Sequence, residues 1–72
     1  MTLMKRVRLE RGISQQVLGT RARIQAADIS RIERRVLVPS VKQLSRIARV
    51  LHVDAAALLT EVDAYESAPA AR

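Results

Sequence analysis

Apolar side chains recur at intervals of three and four along nearly the whole chain, and only two glycines and two prolines interrupt them. That period sets one face of a helix against a core, and few β-branched residues alternate with polar ones, so the fold class is all-α. Thr2 can cap a first helix running to about Arg11, with Met4 and Val7 inward, Leu3 partly so, and Gly12 closing it. Ser14 is an N-cap for a second helix over Gln15 to Ala22, in which Leu18 and Ala22 form an i, i+4 apolar pair. A third helix spans Gln25 to Arg34, with Ile29 and Ile32 inward and Asp28, Arg31 and Arg35 pointing elsewhere. Ser40 with Gln43 three residues on is a capping box, and Val41, Leu44, Ile47, Ala48 and Leu51 form the stripe of the helix it starts. Asp54 caps a last helix with Leu58, Leu59, Val62 and, at its far end, Tyr65. Residues 1–66 are expected to form one domain. Ser67 to Arg72 carries too little apolar bulk to pack and is expected to be a disordered tail.

Seventy-two residues bury only about 60% of the surface that the unfolded chain exposes, which leaves little room for an enzyme's deep pocket. The chain has no cysteine and a lone His52, so neither disulfides nor a structural metal are expected. Stability must come from helix packing or dimerisation. Ser, His and Asp all occur, but no positioned base, metal cluster or phosphate-cradling glycine loop does, so neither catalysis nor a cofactor is expected. The longest apolar run, Ala55 to Leu59, is far below the roughly 20 residues of a membrane span. Met1 to Arg6 lacks the features of a signal peptide, and the expected location is the cytoplasm, on the nucleoid.

Charge is unevenly placed. Residues 1 to 53 carry twelve basic and three acidic side chains, whereas residues 54 to 72 carry one basic and four acidic. The first three-quarters is therefore suited to a polyanion. Eleven of the thirteen basic residues are Arg, whose planar fork fits phosphates and guanine edges; GC-rich coding, which would also explain eleven Ala, is the other reading.

Two short helices joined by about three residues, the second presenting polar side chains in a basic chain, form the helix-turn-helix pattern that enters the DNA major groove. The details sharpen it: Arg8, Gly12-Ile13-Ser14-Gln15, Leu18, Ile24, Ile29-Ser30-Arg31-Ile32-Glu33, Pro39-Ser40, Leu44, Ile47-Ala48, Leu51, Val53 and Leu58-Leu59. Over about residues 3 to 60 the chain resembles the lambda-repressor-like, or Xre/Cro-type, helix-turn-helix family. The resemblance implies a compact five-helix domain with residues 25–34 as recognition helix. It also implies base reading by Gln25, Ala26, Ala27, Asp28 and Arg31, and a partly buried ion pair of Arg8 with Glu33, which could otherwise be two solvated surface charges. Gln15 would brace a phosphate or the recognition helix and Arg34 would meet a phosphate, while Arg23 and Arg35 meet phosphates or stand as solvated surface arginines.

Several positions stay open. Ala26 and Ala27 suit thymine methyl groups or serve as plain helix formers; Asp28 can accept from cytosine or cap its own helix; Arg31 can reach guanine or a phosphate. Ser30 fits a packing role. Relatives usually have glycine where this chain has Arg23, Arg35 and His52, and alanine where it has Gly19. Val36-Leu37-Val38 is an apolar run in an expected surface loop, which either packs on the chain's own fourth helix or forms a dimer contact. Val62 and Tyr65 are further candidates for such a contact. Together these features imply a sequence-specific regulator of double-stranded DNA, a homodimeric repressor on a two-fold operator. The alternative is a helix-turn-helix scaffold that chiefly binds a protein, such as a toxin or RNA polymerase.

Overall fold

Short polar residues placed just before apolar-periodic segments start most of the helices. In the computed structural model, which describes residues 1–66, Thr2 Oγ1 accepts from the Lys5 amide at 3.1 Å and Ser14 Oγ from that of Val17 at 3.0 Å. Ser40 and Gln43 complete a reciprocal capping box at 3.1 and 2.9 Å, and Asp54 Oδ1 accepts from the Ala56 amide at 2.9 Å. The resulting order is α1 (Leu3–Glu10), α2 (Gln15–Ala22), α3 (Ala26–Glu33), α4 (Val41–Leu51) and α5 (Ala55–Glu66), five helices among the described residues. α3 is one residue shorter at each end than the sequence spacing suggests. Gln25 is its N-cap, without a side-chain cap bond, and Arg34 is its C-cap. The expected tail, residues 67–72, lies outside the described residues.

The first four helices all stop in the same way. The first or second residue past each of them takes a left-handed backbone, with φ of 69° at Gly12, 58° at Arg23, 63° at Arg35 and 56° at His52. The next amide reaches back to a carbonyl inside the helix: Ile13 to Arg8 at 3.2 Å, Ile24 to Gly19 at 2.8 Å, Val36 to Arg31 at 3.0 Å and Val53 to Ala48 at 3.0 Å. This is the Schellman stop, which glycine favours because it has no Cβ. The turns are therefore not rebuilt around Arg23, Arg35 and His52; the left-handed geometry is kept with side chains in it.

α4 lies against α1, α2 and α5, and α2 lies against α3. Leu18, Ile29, Ile47, Leu51 and Leu58 are fully buried at the centre. Side chains distant in sequence close several helix ends. Arg11 Nε donates to the Leu51 carbonyl at 2.6 Å, and Arg46 Nε donates to that of Ala22 at 2.7 Å. These carbonyls end α4 and α2, where the backbone has no helical donor left and a cation meets the negative end of the dipole. At the opposite kind of end, Glu61 Oε2 accepts from the Leu3 amide at 2.8 Å, joining α5 to the start of α1.

Some apolar residues are placed otherwise than the periodicity suggests. Val41, in the first turn of α4, and Leu59, on the outer side of α5, are exposed. Val62 is buried in the core, which closes it to a partner; Tyr65 belongs to α5, but its side chain is not among those described. In the 36–38 run Leu37 packs against the core, whereas Val36 and Val38 face out. The alternation is that of an extended segment crossing a surface. Among the described residues, no helix is long and apolar enough to cross a membrane.

Candidate nucleic-acid interface

α3 is held from behind at both ends. Near its start the backbone of α2 comes so close that a Cβ on Gly19 would collide with the carbonyl oxygen of Ile24 and lie 3.2 Å from the amide nitrogen of Ala26. Only glycine admits this approach. Ile29 and Ile32 sink the inner face of α3 into the core.

Near its end Glu33 is clamped by an ion pair. Arg8 Nε donates to Glu33 Oε2 at 2.7 Å and Arg8 Nη2 to Oε1 at 3.0 Å, with the two side chains only 8% and 2% exposed. Arg8 Nη1 also donates to the Ile13 carbonyl at 2.9 Å, and Gln15 Nε2 to Glu33 Oε1 at 3.0 Å. A buried charge pair is tolerated when its polar atoms are satisfied in this way. The network fixes α1, the start of α2 and the end of α3 in one orientation. Of the two roles open to Gln15, its amide fills the one of bracing α3.

The outer face of α3 is left to solvent. Ala27, Arg31 and the flanking Gln25 and Arg34 are exposed, while Ala26, Asp28 and Ser30 are half-buried. Arg23 sits in the turn before α3 and Arg35 just after it, both exposed. A helix clamped on its inner side, polar on its outer side and flanked by arginines at both ends follows a short helix across a tight turn. Residues 4–58 match the helix-turn-helix family.

The chain belongs to the lambda-repressor-like helix-turn-helix family. No curated protein and no solved structure matches it. As a member of that family it is a DNA-binding regulatory domain, with α2 and α3 as the helix-turn-helix pair.

Asp28 stands in the first turn of α3, where its charge meets the positive end of the dipole. Its carboxylate does not cap the start of α3; Oδ1 instead accepts from Arg31 Nη1 at 2.8 Å, one turn along the same face. Sequence reading missed the roles of Arg11, Arg46 and Glu61 altogether. Their partners lie 24 to 58 residues away, and no local spacing marks such a contact.

Proposed function

We propose that this helix-turn-helix domain is a sequence-specific repressor that binds a two-fold operator as a homodimer, with α3 of each protomer in the major groove of one half-site. The observation that carries this reading is the pairing of a rigid seat with an open face. The Gly19 contact and the Arg8–Glu33–Gln15 network hold α3 from behind, while Gln25, Ala27, Asp28 and Arg31 stay accessible.

In this reading Arg31 donates to guanine, Gln25 pairs with adenine, and Ala27 meets a thymine methyl, with half-buried Ala26 letting the helix come close. Asp28 carries the remaining polar group of that face. Arg23, Arg34 and Arg35 meet phosphates on either side, and the second Nε2 hydrogen of Gln15 reaches another. Val36 and Val38, 66% and 47% exposed, join the exposed Val41 as an apolar surface for the second protomer. So small a surface implies weak association in solution and pairing on the operator. The working location is the cytoplasm, on the nucleoid.

Selection from random duplexes followed by footprinting tests the proposal. A two-fold site with half-sites about 34 Å apart, one helical turn, is the expected product. Recovery of no sequence above random would overturn it.

A further inference from the structure

Asp28 and Arg31 are the only acidic and basic side chains on α3 apart from the buried Glu33, and they bond to each other. Their side chains are 35% and 51% exposed, on the face that packing does not use. An exposed pair of this kind stabilises a helix little in water, so helix stability alone explains little of the arrangement. What it does set is the direction of the guanidinium.

The contact engages Nη1 of Arg31. The Nε/Nη2 edge, two parallel N–H groups in a rigid plane, is not part of it. Guanine alone presents two adjacent acceptors, N7 and O6, in the major groove; adenine pairs an acceptor with a donor, thymine offers one acceptor beside a methyl, and cytosine offers a donor. A fixed edge with two donors therefore matches guanine and mismatches the rest. A guanidinium without its anchor would also be open to swing toward the phosphates, which carry no sequence information. The Asp28 carboxylate opposes that swing, since it holds Nη1 and repels phosphate.

We infer that Asp28 and Arg31 form one guanine-reading unit, in which the Asp28 carboxylate is a positioning group that turns the Nε/Nη2 edge of Arg31 toward the base. This rests on the DNA-reading role proposed above, and it makes an acidic residue in a DNA interface a source of specificity.

The test uses the full chain with Asp28→Ala, Arg31→Ala and the double variant, titrated against the selected duplex, against that duplex with each base pair changed singly, and against random duplex. Asp28→Ala should bind random duplex at least as tightly as the parent, because one negative charge is gone. Its preference for guanine should fall by about fivefold at a single position, the scale of an exposed ion pair. That position should be the one where Arg31→Ala loses discrimination, and the double variant should lose no more there than Arg31→Ala alone. A uniform change on every duplex, or a loss at a different base pair, would overturn the unit while leaving DNA reading intact. A parent that binds all duplexes alike would overturn both.

Discussion

Three residues other than glycine hold a left-handed backbone among those described, and each adds strain of about 1 to 2 kcal/mol that glycine would relieve. His52→Gly should therefore stabilise the protein by about 1 kcal/mol, or roughly 4 to 8 °C in Tm for a domain of this size, and leave duplex affinity unchanged. Arg23→Gly should stabilise it similarly but weaken all duplexes alike, since it also removes the proposed phosphate contact. Thermal melts and parallel titrations check both, and a lower Tm for His52→Gly would contradict the strain. The opposite case is Arg8 with Glu33. Removing either partner leaves a buried charge without its counterpart, and each single substitution should cost about 3 to 5 kcal/mol. Arg8→Met combined with Glu33→Leu should recover much of that loss, though Gln15 and the Ile13 carbonyl lose their partners. Urea titration of the three variants would show it.

At the level of elements, the α2–α3 junction sets helix propensity against contact geometry. Alanine in place of Gly19 gains about 1 kcal/mol of propensity. Its Cβ, however, would meet the Ile24 carbonyl and the Ala26 amide, backbone groups that cannot swing aside. The collision should win, so Gly19→Ala should destabilise by about 1 to 3 kcal/mol and, by tilting α3, weaken specific binding; equilibrium unfolding and duplex titration measure the two effects. The junction also shows what sequence makes legible. The starts of α1, α2, α4 and α5 could be read from Thr2, Ser14, the Ser40–Gln43 box and Asp54, because a cap bonds within its own first turn. The outer face of α3 could be read as well, since Ile29 and Ile32 fix its inner one. Tertiary contacts other than the Arg8–Glu33 pair, which the resemblance implied, could not: Arg11 and Arg46 look like any other basic residues until the distant carbonyls they close are known. The 36–38 run was equally illegible, because nothing local says which of three apolar neighbours turns inward.

Over the whole molecule, the basic excess of residues 1–53 is divided between two tasks. Arg8, Arg11 and Arg46 bond to distant parts of the fold, whereas Arg23, Arg31 and Arg34 at α3 are exposed. Two copies are needed in the proposed assembly, because one recognition helix reads only a few base pairs. Val38→Glu should therefore abolish cooperative binding to a full operator while sparing the fold and random-duplex affinity, whereas Leu37→Glu should destabilise the fold by charging the margin of the core. Sedimentation, melting and titration of full against half operators separate the two. The most direct measurement is the affinity of the unaltered protein for its selected duplex and for a scrambled duplex of equal length, across a fourfold range of salt. Both affinities should fall by about tenfold or more for each doubling of salt, with the selected duplex staying about a thousandfold tighter. Equal affinities for the two duplexes, or a response flat in salt, would contradict a helix clamped to read base edges.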